Sequence, residues 1–267
     1  MSEVLRCAWA FFIRDAQNSM SYRFSFVFSQ VMVVARALAM WLPAQLVGDN
    51  PIFEKSGGFL AFSLTGSAMM GFFMASYGGF ASAVRSEQHV GTLESVLVTR
   101  APLSALLLGA SSWSLAQALL DVAITLTAAA LVFSVQFKGS VFDLVPLILL
   151  TNLTFIAFGF FSAAFTMVFK RGDPFRMVVG GASLLFGGVF YPTTVLPKSV
   201  SWISELLPIT HGARALRGIA LHGDSLSNYT FEVIVLSLFA LTTLPLGIVI
   251  FSKAVQRTKL DGTLLQY

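Results

Sequence analysis

Long apolar stretches separated by short polar ones make up most of this chain of 267 residues. Most of the apolar stretches reach the roughly 20 residues that an α-helix needs to cross a hydrocarbon core of about 30 Å. None shows the strict alternation and regular turn spacing of an outer-membrane barrel. The pattern therefore predicts an all-α membrane protein with six transmembrane helices. The predicted spans are residues 24–47, 57–84, 103–135, 142–169, 177–191 and 229–251.

Composition supports this class and excludes others. Hydrophobic residues make up 56% of the chain and charged residues 11%, and the mean hydropathy is +0.79. A water-soluble globule of this length would need more polar surface. The single cysteine excludes a disulfide framework, and the three histidines lack the spacing of metal ligands. We expect no metal site and no nucleic-acid partner.

One polar segment, residues 85–102, connects the second and third spans. It carries Arg85, Glu87, Glu94 and Arg100 between two strongly apolar stretches. Glu87 and Glu94 are seven residues apart, close to two helical turns, so a single helix would present both on one face. We predict a short amphipathic helix that lies flat on the membrane and docks a partner. An ordinary connecting loop is the alternative.

The two ends of the chain are also polar. Residues 1–23 mix charges with Trp9 and other apolar side chains at helical spacing, which is typical of an interfacial helix. Residues 252–267 form a basic tail. Segments on the same side as the N-terminus hold eleven Lys and Arg, against five on the other side. Because cytoplasmic segments carry the excess of positive charge, we expect both termini and residues 85–102 in the cytoplasm.

Residues 192–228 form the longest irregular stretch. Pro192, Pro197 and Pro208 divide it into pieces that are too short and too polar to cross a membrane. We predict that these pieces partly re-enter the outer leaflet as a hairpin.

Two full charges lie inside the predicted spans, Arg36 in the first and Asp121 in the third. An unpaired charge at the centre of a bilayer costs at least about 2.5–3.5 kcal/mol, so each residue needs a partner or water. Three arrangements satisfy this requirement. The two can form an ion pair, Arg36 can face a hydrated cargo path, or each can have a separate partner.

Small residues mark the short fifth span, where Gly180, Ser183 and Gly187 permit close approach of another helix. That helix belongs either to the same chain or to a second copy. A methionine cluster that includes Met70 and Met74 can line a path for hydrophobic cargo, although packing against core or lipid is the commoner role of such residues.

Four short motifs accompany the six spans. They are Gly91-Thr92-Leu93-Glu94, Phe190-Tyr191-Pro192, Leu207-Pro208-Ile209-Thr210 and Ala215-Leu216-Arg217. Together, the spans and these motifs resemble the ABC-2 type permeases, which are membrane subunits of type V (ABCG-like) ABC exporters. The resemblance covers nearly the whole chain.

The resemblance implies that residues 85–102 are a coupling helix that docks on an ABC ATPase subunit. It also implies an assembly of two permeases, identical or closely related, with two ATPase subunits. No Gly-x4-Gly-Lys-Ser/Thr loop occurs in the chain, so we expect ATP and Mg to bind to the partner and no catalytic residue here. The coupling residues it implies are Glu87, Gly91, Thr92, Leu93 and Glu94, and the re-entrant hairpin contains Pro192, Pro197 and Pro208.

The expected function is that of a permease in an ATP-driven exporter of a bacterial or archaeal cytoplasmic membrane. A Phe-rich, lipid-surrounded chain favours efflux of a hydrophobic or amphipathic cargo, such as a drug or lipid. Export of a lipid-linked polysaccharide is the main alternative. An ion-coupled secondary transporter would need repeats and more ionisable groups than Arg36 and Asp121. A membrane-embedded enzyme would need a catalytic cluster, which the spans lack.

Overall fold

The computed structural model describes residues 3–48, 50–54, 56–91, 103–169 and 173–260. These residues are mostly helical and include no strand. A π-helical turn at Gly218–His222 directly follows the α-helix Pro208–Arg217, and short 3-10 turns lie at Thr193–Val195 and Leu226–Tyr229. The α-helices are α1 Glu3–Ser21, α2 Arg23–Ala39, α3 Trp41–Val47, α4 Pro51–Glu54, α5 Phe59–Val90, α6 Leu103–Phe133, α7 Val141–Phe169, α8 Pro174–Phe186, α9 Lys198–Glu205, α10 Pro208–Arg217 and α11 Thr230–Leu260.

Among the described residues, five helical stretches are long and apolar enough to cross a membrane. This confirms the predicted class, an all-α membrane protein. Most predicted spans coincide with these stretches to within a few residues, although α11 continues nine residues past the predicted end of the last span. The five stretches are Arg23–Val47, Phe59–Gln88, Leu107–Phe133, Val141–Phe169 and Leu226–Thr258.

The predicted fifth span, residues 177–191, differs from the helix found there. α8 is a shorter apolar helix of 13 residues, about 20 Å long. It begins earlier because the Asp173 carboxylate accepts a hydrogen bond from the Arg176 backbone N–H at 3.0 Å, and because Pro174 suits the first helical position. It ends earlier because Gly188 has a left-handed φ of +68°, which does not continue a helix.

The second predicted span also needs a correction at its end. α5 continues beyond residue 84 to Val90, and Gly91 ends it with a left-handed φ of +75°. Glu87 therefore belongs to the last turn of α5. The first six residues of the predicted coupling helix, 85–90, thus belong to α5, and the shared face of Glu87 and Glu94 stays a prediction, because Glu94 lies outside the described residues. Residues 92–102, with Thr92, Leu93 and Glu94, lie outside the described residues.

α5 lies at the centre of the bundle and contacts α6, α7, α8 and α10. Its Phe73 and Tyr77 rings are buried and stacked with centroids 5.3 Å apart, and Phe73 meets Phe155 of α7 edge-on at 4.7 Å. By contrast, the span formed by α2 and α3 is mostly exposed, and α2 packs mainly on α6. This loose packing leaves cavities between α2 and the rest of the bundle.

The N-terminal helix α1 packs against the first part of α6. The Phe12 and Trp113 rings meet edge-on with centroids 5.8 Å apart. At Gly109 there is no room for a side chain, because a Cβ atom there would come 2.4 Å from the Ala8 carbonyl oxygen. This contact defines the α1 end of the bundle, where α5 ends and α6 begins. The opposite end holds the α9–α10 hairpin.

Candidate functional site

Glu87, one of the predicted coupling residues, is bound to α1. Its carboxylate accepts a hydrogen bond from the Arg14 guanidinium at 2.8 Å, and its side chain is 6% exposed. Arg14 also pairs with Asp15 at 2.9 Å. Burial by itself would lower the pKa of Arg14, but the hydrogen bonds to Asp15 and Glu87 outweigh it and raise the pKa. A charged network thus joins α1 to the last turn of α5.

Sequence reasoning missed Arg14 as a functional residue. A basic residue in an interfacial helix is ordinary, and only the packing of α1 brings it to Glu87. Gly91 is exposed at the end of α5, directly before the segment predicted to dock the ATPase. The structure therefore places the two described coupling residues differently: Glu87 lies under α1, and Gly91 lies at the surface.

A polar groove of about 580 Å³ lies beside this network, between α1, α2, α5 and α6. Its walls are rich in hydroxyl and amide groups, and the Gln117 amide donates to the Ser19 hydroxyl at 3.3 Å across it. Such a surface suits a partner or cargo that forms many hydrogen bonds. The polar residues lining the groove include Asn18, Ser19, Ser25, Ser29, Ser82, Ser86, Ser114 and Gln117.

Arg36 and Asp121 line a single cavity of about 430 Å³ between α2, α5 and α6. No ion pair within 4.0 Å joins them to each other or to another described residue. Asp121 lies eight residues beyond Trp113, which packs on α1, and twelve before Phe133, where α6 ends. At 1.5 Å per residue these are about 12 Å and 18 Å, so Asp121 lies near the middle of the span.

The walls of this cavity are otherwise mostly apolar, with Ser67 and Thr125 as the other polar residues. Met70, Phe72 and Met74 come from α5, and Phe190 comes from the segment after α8. Arg36 itself is exposed on the surface of the chain. The cavity therefore combines two opposite charges with a hydrophobic lining at membrane depth. An ionisable group in such a place is by default a candidate for contact with cargo or water.

The α9–α10 hairpin is held by Arg214. Its guanidinium donates to Glu205 of α9 at 2.8 Å and to Glu232 of α11 at 3.3 Å. Burial by itself would lower the pKa of Arg214, but these two carboxylates outweigh it and raise the pKa. One side chain of α10 thus connects three helices. The prolines predicted for the hairpin lie at the starts of its helical segments: Pro208 begins α10, Pro197 precedes α9 and Pro192 precedes a 3-10 turn.

Arg217 anchors the same hairpin to α5. It is 9% exposed and donates to the backbone oxygens of Val189 at 2.8 Å and Phe62 at 3.2 Å. Its guanidinium carbon lies 3.5 Å from the centroid of the Phe62 ring. Burial lowers the pKa of Arg217 to about 9, so the group stays charged at neutral pH. The sequence analysis has Arg217 only as the last residue of the motif Ala215-Leu216-Arg217, and no local signal marks it as buried.

The small residues of α8 pack within the chain. A Cβ atom at Gly180 would lie 2.7 Å from the Met74 methyl of α5, and one at Gly187 would lie 2.7 Å from a methyl of Ile209. Ser183, which lies between these two glycines in the sequence, is also buried, with 1% of its surface exposed. The opposite face of α8 exposes large apolar side chains, including Val178 and Leu185. That face is free for lipid or for a second copy.

Apolar spans, a charged cavity at mid-membrane and charged contacts at the α1 end define a multi-pass membrane protein of the transporter class. Residues 2–221 match the ABC-2 type transporter family, so the chain belongs to that family. It is the permease of an ABC transporter, whose ATPase is a partner subunit, and not the nucleotide-binding domain. Comparison with curated proteins gave no match. Among the described residues, no group of three His, Cys, Asp or Glu is placed to hold a metal ion.

Proposed function

We propose that this permease exports an amphipathic, lipid-like or drug-like molecule. The observation that carries the proposal is the cavity at mid-membrane, where Arg36 and Asp121 face apolar side chains of α5. A purely hydrophobic cargo offers no partner to the two charges, and a fully hydrated ion gains nothing from Met and Phe walls. A molecule with a polar head and an apolar body suits both.

Export of a lipid-linked polysaccharide is a second candidate function. It is favoured by the polar groove beside α1, whose serine and glutamine side chains offer hydrogen bonds of the kind that sugars form. The two candidates use different cavities. Transport assays with both cargo classes therefore discriminate between them.

The coupling end has a specific role in this proposal. Residues Gly91 to Glu94 would dock the ATPase, which binds ATP and Mg. Glu87, held by Arg14, would pass the movement to α1 and α5 together. Because α6 packs on α1, the same movement would reach the helix that carries Asp121. We place this end and both termini in the cytoplasm of a bacterial or archaeal cell, on the count of basic residues.

The test uses the permease purified with its ATPase and reconstituted in liposomes. A fluorescent phospholipid, an amphipathic dye and a lipid-linked glycan are supplied separately, and their ATP-dependent movement is measured. The proposal expects movement of the lipid or the dye and its loss in Arg36→Ala. Movement of the glycan alone would overturn it in favour of the second candidate.

The docking assignment has a separate test. Glu94→Arg should insert into the membrane normally and abolish most of the cargo-stimulated ATPase activity, because charge reversal at a docked surface adds repulsion to the loss of a contact. Glu54→Arg, at the opposite end of the bundle, is the control and should leave the stimulation unchanged. Full stimulation in Glu94→Arg would contradict the docking role.

A further inference from the structure

A second cleft, of about 410 Å³, lies between α5 and α8 towards the α1 end. It shares Met70 and Met74 with the cavity at mid-membrane, so the two openings are neighbours on α5. Unlike that cavity, it has arginines at one end and an apolar wall at the other. The cleft is lined by Met70, Met74, Arg85, Asp173, Arg176, Met177, Gly180, Gly181 and Leu184.

The cationic end of the cleft consists of Arg85 and Arg176. Among the described residues, no carboxylate lies within 4.0 Å of either guanidinium. Asp173 also lines the cleft, but its oxygens accept hydrogen bonds from the Ser162 hydroxyl and from the Arg176 backbone N–H. Arg85 and Arg176 therefore line the cleft together with one carboxylate that already accepts two hydrogen bonds.

The guanidinium of Arg176 is positioned by α5. A Cβ atom at Gly78 would lie 3.2–3.4 Å from its Cζ and both Nη atoms. The group therefore lies against the bare backbone of α5 at Gly78. A Cβ atom alone would shift it by a few tenths of an ångström, and a larger side chain would displace it, so this glycine helps to set where the positive charge lies.

The depth of the cleft matches one half of a bilayer. Arg85 lies two residues before Glu87, whose carboxylate is bound to the interfacial helix α1, so Arg85 is at the membrane interface. Met74 and Met70 lie eleven and fifteen residues before Arg85 on α5. At 1.5 Å per residue these are about 16 Å and 22 Å, which is acyl-chain depth.

We propose that this cleft binds an anionic phospholipid from the leaflet at the α1 end. Its phosphate would lie between Arg85 and Arg176, because guanidinium groups match phosphate oxygens in charge and geometry. Its acyl chains would follow the methionine and leucine side chains, and Gly181, where a Cβ atom would have no neighbour within 4 Å, leaves space for them. The inference rests on the proposed function in taking this lipid as cargo, and it specifies the charge of the cargo.

The experiment measures lipid binding by the intact permease–ATPase complex. Native mass spectrometry counts bound phosphatidylglycerol and phosphatidylcholine after reconstitution in mixed nanodiscs. We expect preference for phosphatidylglycerol, reduced several-fold in Arg85→Gln and Arg176→Gln and by about tenfold or more in the double variant, a change of about 1.4 kcal/mol. Arg23→Gln removes an exposed charge at the same end but outside the cleft, and should bind normally.

Further measurements test the position of the Arg176 guanidinium, distinguish a lipid headgroup from free phosphate, and separate lipid binding from lipid transport. Gly78→Leu keeps every charge and should still weaken phosphatidylglycerol binding, because its larger side chain would displace the Arg176 guanidinium. Inorganic phosphate should not compete at millimolar concentration, since it lacks the acyl chains. Equal competition by free phosphate, or unchanged binding in the double arginine variant with transport intact, would overturn the inference. Arginine-dependent binding without ATP-driven movement of any lipid would instead refute the proposed function and the role of the lipid as cargo.

Discussion

The Arg14 guanidinium and the Glu87 carboxylate meet at 2.8 Å across the space between α1 and α5. The two residues are 73 positions apart in the chain, and each belongs to a different functional region of the proposed exporter. The contact therefore joins α1 to the end of the central helix α5 at the point where the ATPase is proposed to dock.

We predict that Arg14→Ala lowers the coupling between ATP hydrolysis and transport. It removes the Arg14 contact of the nearly buried Glu87 carboxylate, so stability should also fall. Because the Arg14 side chain is 48% exposed, solvent screening limits this loss to about 1 kcal/mol. The ratio of cargo moved to ATP hydrolysed, together with the unfolding temperature, measures both effects.

Arg6→Ala is the matched control, since Arg6 is an exposed arginine of the same helix. It should leave transport and stability unchanged. An equal loss of coupling in both variants would show that the charge of α1, and not the contact with Glu87, is responsible.

Arg36 and Asp121 call for a double-mutant cycle, because they share a cavity without an ion pair. If they interact when the transporter works, Arg36→Ala and Asp121→Ala each leave a lone charge at membrane depth. The double variant should then be destabilised by less than the sum of the two. Thermal unfolding in detergent measures the three stabilities. Strict additivity would rule out the pair, and unchanged stability with lost transport in Arg36→Ala would assign Arg36 to the cargo path.

Gly66→Ala should destabilise the protein strongly. The added Cβ atom would lie 2.0 Å from the Val189 carbonyl oxygen and 2.4 Å from Nη2 of Arg217, so the contact between the α9–α10 hairpin and α5 would have to open. We expect a loss of about 2 kcal/mol or more, which is the scale of an overpacked core with disturbed hydrogen bonds. Gly71→Ala, in the same helix with no atom within 4 Å, is the control and should be neutral or stabilising. Equal stability of the two variants would contradict the described packing.

We predict that the active complex contains two permease copies and two ATPase subunits. The exposed apolar face of α8 is where we expect the copies to meet, so Val178→Trp should weaken the pairing. Ile234→Trp, at a similarly exposed site of α11, should not. Native mass spectrometry of the detergent-solubilised complex reports the stoichiometry, and an active species with one permease would refute the prediction.

The sequence by itself determined the class of the protein and the position of most helices. A segment inside a bilayer must satisfy its backbone hydrogen bonds within itself, so length and hydropathy are enough to locate a spanning helix. The same local information exposed Arg36 and Asp121 as unusual, and it located the polar segment after the second span. The sequence also shows Gly91 and Gly188, which end α5 and α8. Glycine permits the left-handed φ that stops a helix but does not require it, so the sequence alone does not fix these two helix ends.

Only the tertiary structure decided which charged groups meet. Arg14 binds Glu87, and Arg217 binds a backbone oxygen 155 positions away, at Phe62. Neither contact leaves a local pattern, because arginine is equally common in solvated positions and because a backbone oxygen has no side-chain signature. The packing of α1 on α6 and of α10 on α5 brings these groups together. The arginine cleft between α5 and α8 arises for the same reason, since Gly78 and Arg176 become neighbours only when the two helices pack.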